Sequence, residues 1–261
     1  MDLGIGEKTA LVFGAGGGLG RAISLRLSQE GARVALVDRD TNALAQTESE
    51  VRAAGGTSLA IAWDVADLAL IGANIGLVTR AFGAVDILVN NTGGPPPGPA
   101  AHVSPEVWTS HFQSMVLSVM AITDAVLPAM RARRWGRIIT SASSGVIAPI
   151  PNLGVSNALR LALVGWSKTL AREVAKDGVT ANIIVPGRIA TDRIRFLDEQ
   201  KAARENREVA AVIQESTQSI PAGRYGEPAE YADAVAFLAS QRASYITGST
   251  LRVDGGYIPN I

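Results

Sequence analysis

The sequence predicts a single α/β domain over residues 1–261, a doubly wound parallel sheet flanked by helices. Three observations predict it. Short runs rich in Val, Ile and Leu alternate with longer amphipathic stretches, the pattern of strands buried on both faces and joined by crossover helices. The first run, TALVFG, leads straight into a glycine-rich turn that opens a helix, FGAGGGLGRA at 13–22. The second run, RVALVD, ends on a carboxylate, Asp38, about twenty residues further on.

Each element follows from the same alternation. TALVFG (9–14) reads as a strand, GRAISLRLSQEG (20–31) as a helix, RVALVD (33–38) as a strand, TNALAQTESEVRAAG (41–55) as a helix and TSLAIAWDV (57–65) as a strand. A helix over 67–82 precedes the strand DILVNN (86–91). GGPPPGPAA (93–101) is then a rigid loop after a strand end, either a proline-rich connector or one of the ligand-binding loops that such sheets carry there. A long helix over 104–133 starts near Pro105, a residue suited to a first helical turn, and is followed by the strand GRIITSAS (136–143). A helix over 155–176 and the strand VTANIIVPG (179–187) complete the next unit. Residues 192–221 are the most charged long stretch and lack a strand pattern, which predicts a solvated helical insertion or, in its functional version, a variable substrate lid. The helix over 227–240, with Pro228 near its start, and the strand GSTLRVDGG (248–256) close the chain.

Composition narrows the function. With 24 basic and 24 acidic residues, no global field draws the chain to nucleic acid or an anionic membrane, and a small-molecule substrate is expected. The absence of cysteine removes disulfides, thiolate nucleophiles and cysteine metal sites, and the two histidines, His102 and His111, leave little for a metal centre. The N-terminal MDLGIGEKTALVFG is acidic where a secretory leader is basic, and no run reaches about 18 uninterrupted apolar residues, so a soluble cytoplasmic protein is expected.

Gly14, Gly18 and Gly20 fall where backbone must approach an anionic group, and the helix that follows presents its N-terminus to a pyrophosphate. Asp38 stands where a ribose hydroxyl would be bound. Its charge opposes a 2′-phosphate, so NAD is favoured, with NADP the alternative through the neighbouring Arg39.

These features resemble the short-chain dehydrogenase/reductase family with its Rossmann-like fold, and members of the 3-oxoacyl-ACP reductase kind in particular. The resemblance runs nearly end to end: the glycine motif through Gly14, Gly18, Leu19 and Gly20, Asp64 and Val65 in AWDV, Asn90-Asn91-Thr92-Gly93, Pro186-Gly187, and Thr191. It implies that Leu19, Asp64, Val65, Asn91, Gly93, Pro186, Gly187 and Thr191 join Gly14, Gly18, Gly20 and Asp38 around the cofactor. It also implies a homo-oligomer, tetramer or dimer, built on the helices 104–133 and 155–176.

The resemblance fails at the catalytic positions. The family's serine is matched by Ser143, but Ser156 stands in place of its tyrosine and Arg160 in place of its lysine, while Met115 falls where its structural asparagine is expected. An aliphatic alcohol is no usable acid near neutral pH, and a guanidinium does not titrate there. Three readings remain: an oxidoreductase with an altered Ser143–Ser156–Arg160 site, another chemistry such as elimination or C–C cleavage of a hydroxy-carbonyl compound, or a cofactor-bound protein with little catalysis. His102, beside the proline loop, is a candidate substitute proton donor, or else an exposed loop histidine. Asn157 either lines the site or caps the turn before its helix.

Overall fold

The computed structural model describes residues 2–260. Seven parallel strands form one sheet in the order β3-β2-β1-β4-β5-β6-β7. They are β1 (Thr9–Phe13), β2 (Arg33–Asp38), β3 (Thr57–Ala62), β4 (Ile87–Asn90), β5 (Gly136–Ser141), β6 (Val179–Pro186) and β7 (Thr250–Val253). The expected doubly wound α/β fold is therefore present, with its reversal of strand order between β1 and β4.

Alternation along the strands divides the core. Ala10 and Val12 of β1 and Val34 and Leu36 of β2 point to one face, where they meet Ile23 and Leu27 of α1 (Gly18–Gln29) and Tyr231, Val235 and Leu238 of α9 (Pro228–Ala239). Leu11, Phe13, Ala35 and Val37 point to the other, against Val78 of α3 (Ile71–Phe82), Ile122, Val126 and Met130 of α5 (Ser118–Arg133), and Leu170 and Val174 of α6 (Gly154–Val174). Burying each of the Val, Leu, Ile, Phe and Met side chains contributes about 1.5–3 kcal/mol, which is why the central strands read as unbroken apolar runs. The remaining crossover helix, α2 (Thr41–Ala53), is capped by the Asp40 carboxylate on the Asn42 and Ala43 N–H groups.

The long helix expected over 104–133 is interrupted. α4 (Pro105–Phe112) passes through a π-helical turn, Gln113–Leu117, into α5. Pro105–Arg133 is also long and apolar enough to cross a membrane by length and composition, but half of its most apolar window is buried inside the domain, as in a core helix. The 192–221 insertion is helical as expected, forming α7 (Asp192–Glu205) and α8 (Val209–Gln218) about Asn206, which adopts φ 50°. The last strand is shorter than 248–256, because the flanking Gly248, Gly255 and Gly256 all take positive φ and turn the chain out of the sheet.

Candidate active site

Both halves of the expected site lie at the carboxyl ends of the strands, around the β1/β4 reversal where such sheets bind ligands. On the β1 side the chain folds back on itself. A side chain on Gly20 would come within 1.9 Å of the Gly14 carbonyl oxygen, and one on Gly14, itself at φ 65°, within 2.7 Å of Asn91. Gly17, by contrast, has nothing within 4 Å, so the turn is closed behind and open in front. The Gly16 N–H donates to Asp38 Oδ2 (2.9 Å) and the Asp40 N–H to Asp38 Oδ1 (3.1 Å). Each Asp38 oxygen keeps lone-pair capacity for a ribose hydroxyl. A turn with open backbone at a helix N-terminus, beside a half-buried carboxylate, fits the pyrophosphate and ribose of a dinucleotide.

Of the other expected cofactor residues, Asn91 and Thr191 lie against this turn, and the rest lie on α1 or at and beyond the ends of β3, β4 and β6. Asn91 Nδ2 donates to the Phe13 carbonyl (3.3 Å), stitching the end of β4 to the end of β1. Gly93 is exposed. Thr191 caps α7, and its Cγ2 lies 3.5 Å from where a Gly18 side chain would start, which brings the 187–191 segment over the turn. Leu19 packs beneath α1 against the core, so its contribution is to seat the helix. Asp64 is exposed and Val65 half-buried just beyond β3, while Pro186 and Gly187 close β6, with the Gly187 N–H bonded to the Val253 carbonyl (2.9 Å).

On the β4–β5 side, α6 delivers Ser156 and Arg160 one turn apart, and both are buried. Arg160 Nη1 donates to the Ser141 carbonyl (3.1 Å), and Nη2 to the Thr92 (3.0 Å) and Gly93 (3.1 Å) carbonyls. The guanidinium thus ties the carboxyl ends of β4 and β5 together. Burial pulls its pKa down to about 10, with Tyr231 opposing and Arg193 reinforcing the shift. Ser143 accepts the Gly145 N–H on its Oγ (3.2 Å), which leaves its own proton free to donate. Ser156 Oγ makes no hydrogen bond among the described residues.

His102 is exposed at φ 60° and makes no hydrogen bond to Ser156 or Arg160. Asn157 pins the preceding segment, its Nδ2 donating to the Ile150 carbonyl (2.9 Å), which is the capping alternative. Met115 is 2% exposed within the π turn. Sequence reasoning missed Arg193: Nη2 of this α7 residue donates to the Pro95 carbonyl (2.8 Å), joining the insertion to the proline loop. No spacing in the sequence signals that contact, which depends on the direction α7 takes from β6.

Residues 14–258 match the model of a family described as enoyl-(acyl carrier protein) reductase. The chain is 41% identical over 252 residues to the 3-oxoacyl-[acyl-carrier-protein] reductase FabG of Escherichia coli (strain K12), covering 95% of this chain and 96% of that one. Among solved structures it resembles the L-sorbose reductase of Gluconobacter frateurii complexed with NADPH and L-sorbose, with TM-score 0.94, 32% identity and 100% of both chains covered. It also resembles a variant actinorhodin polyketide ketoreductase with NADPH, with TM-score 0.92, 33% identity, and 96% of this chain and 97% of that one covered. With this fold, this turn and these relatives, the chain belongs to the short-chain dehydrogenase/reductase family of oxidoreductases.

Proposed function

We propose that the chain is an NAD(P)-dependent oxidoreductase acting on a carbonyl/alcohol pair through an altered site, with Ser156 and Arg160 standing where its relatives use tyrosine and lysine. The observation that carries this reading is the buried Arg160 guanidinium, fixed between the ends of β4 and β5 beside the free Ser156 hydroxyl. When bound, the dinucleotide would supply or accept the hydride. The Gly14–Gly20 turn holds the pyrophosphate, Asp38 takes the ribose hydroxyls and favours NAD, and Thr191 covers the turn. Asp64, Val65, Asn91, Gly93, Pro186 and Gly187 complete the binding crevice.

Ser143 donates a hydrogen bond to the substrate oxygen, and Ser156 offers a second hydroxyl. The Arg160 charge, in a low-dielectric setting, stabilises negative charge developing on that oxygen. None of the three is an acid near neutral pH, so the proton that completes reduction comes from water. Loss of a general acid costs about 10²–10⁴ in rate but leaves positioning and electrostatic stabilisation intact. The helices α4, α5 and α6 are further proposed to assemble the chain into a homo-oligomer, tetramer or dimer, and α7–α8 to act as the substrate lid.

The test is steady-state turnover of a ketone panel with NADH and NADPH. It compares wild type, Arg160→Lys, and Ser156→Tyr combined with Arg160→Lys, each verified as folded by circular dichroism. Slow wild-type reduction that the double variant accelerates at least about tenfold on generic ketones is expected, because a titratable acid and its tuning cation return together. Dinucleotide binding with no turnover by any variant would overturn the reading in favour of a binding protein.

A further inference from the structure

Arg160, buried, and Arg193, exposed at the mouth of the site, form a pair of cations with no counter-ion among the described residues. Arg160 is 9% exposed, yet its partners are the carbonyls of Ser141, Thr92 and Gly93, and no carboxylate pairs with it among the described residues. Among the described residues Arg193 makes one hydrogen bond, to the Pro95 carbonyl, and its guanidinium lies 5.7 Å from the centroid of the Phe196 ring. The acidic groups nearest in sequence are committed elsewhere: Asp192 to Arg195 (2.9 Å), and Asp198 to Arg188 (2.8 Å) and Tyr225 (2.8 Å). The two guanidiniums converge on one place. Their Nη2 atoms lie 3.5 and 3.8 Å from the point where a side chain on Gly94 would start, and Ser156 Oγ lies 4.0 Å from it.

A buried charge without an opposite partner, as at Arg160, is costly, and the like charge of the exposed Arg193 beside it adds a smaller, solvent-screened repulsion. Carbonyl dipoles offset part of it for Arg160. A ligand anion would offset the remainder, and the donors for it are present. Both Nη2 hydrogens of Arg160 are spent on Thr92 and Gly93, so Arg160 supplies charge, while most of the five Arg193 N–H donors and the Ser156 hydroxyl are free. The glycine at 94 keeps the place open. The dinucleotide's own phosphates have their seat at the Gly14–Gly20 turn, whereas this place adjoins Ser156.

We propose that the substrate of this site is a small oxo acid, or its hydroxy acid counterpart, whose carboxylate sits between Arg193 and Arg160 with its carbonyl at Ser156. The inference rests on the oxidoreductase reading for the carbonyl chemistry, but not for the anion site itself. It sets this chain apart from enzymes for neutral sugars and thioesters. A phosphate on a ketone would use the same cations, so the experiment separates the two sources.

Turnover is measured with NADH for acetoacetate, its ethyl ester and dihydroxyacetone phosphate, in wild type, Arg193→Ala, Arg193→Lys and Gly94→Val. Malonate binding to the NAD complex is measured by calorimetry alongside. Wild type is expected to favour acetoacetate over the ester by at least about tenfold in kcat/KM, the value of one charge-assisted contact. Arg193→Ala should collapse that ratio toward one, chiefly through KM, with the NADH Kd held within about twofold. Arg193→Lys should restore part of the ratio, and Gly94→Val should exclude acid and malonate alike. Preference for the phosphate with the same Arg193 dependence would assign the anion as phosphate. If no carbonyl turns over but malonate binds through Arg193, the anion site stands and the oxidoreductase reading falls. Equal handling of acid and ester by wild type, or an Arg193→Ala effect confined to NADH affinity, would overturn the proposal.

Discussion

Asp38 is held by two backbone N–H groups, from Gly16 and Asp40, so its carboxylate is aimed before any ligand arrives. If Asp38 meets the ribose as proposed, orientation of this kind lets one residue decide between cofactors. Asp38→Ser should weaken NADH and strengthen NADPH, moving the ratio of their Kd values by about 10- to 100-fold, as read by fluorescence titration. A ratio unmoved by the change would assign the choice to another residue. The proposed reacting groups make a second prediction. Ser143, Ser156 and Arg160 keep one protonation state across about pH 6–9, and Arg160 does so even with its pKa drawn down to about 10. Ketone reduction should therefore be flat in kcat/KM over that range. Ser156→Tyr should introduce a fall toward high pH, because reduction needs the phenol protonated and the phenol is lost as pH rises through its pKa. A wild-type profile that falls through neutrality would point to an imidazole donor, and its disappearance in His102→Gln would name it.

At the scale of elements, the insertion is better anchored than its charge suggests. Asp198 on α7 is 1% exposed, accepting from Arg188 after β6 and from the Tyr225 hydroxyl before α9. Asp198→Ala would leave the half-buried Arg188 guanidinium and Tyr225 phenol without their acceptor, and should cost about 1–3 kcal/mol in urea unfolding. A loss below about 1 kcal/mol would mean that α7 is held by other contacts. The sequence makes the strands legible, since Leu11, Leu36, Leu88 and Ile184 lie in runs that only two-sided burial explains. It also makes Ser156 and Arg160 legible as a pair, because one helical turn separates them whatever surrounds the helix. It hides the π turn at Gln113–Leu117, where the apolar pattern continues while the backbone bonding changes. It hides the burial of Asp198 and the reach of Arg193 to Pro95, which depend on how α7 packs and not on spacing.

At the scale of the whole molecule, exposed apolar residues occur on α3, α7, α8 and α9, and one group of them falls on the helices where the resemblance places subunit contacts. Val107 and Phe112 on α4, Leu117 in the π turn and Leu161 on α6 are all more than a third exposed, and Leu161 reaches 52%. Leu251 on the edge strand β7 and Tyr245 just before it add a second region. Net charge is zero, so no long-range repulsion opposes self-association. Closing a two-fold contact along α4, α5 and α6 would cover the first group in an isologous interface, and a second two-fold contact at β7 would make a tetramer. Sedimentation at micromolar concentration should give the mass of a tetramer or dimer. Leu161→Glu, a change that a solvent-facing position would tolerate within about 0.5 kcal/mol, should shift the species to smaller mass. Because Leu161 adjoins Arg160 on the same helix, it should also loosen the site, raising KM for the ketone as assembly is lost. A wild type that sediments as a stable monomer, or a Leu161→Glu variant unchanged in both mass and KM, would leave these apolar residues as ordinary surface and detach the site from any assembly.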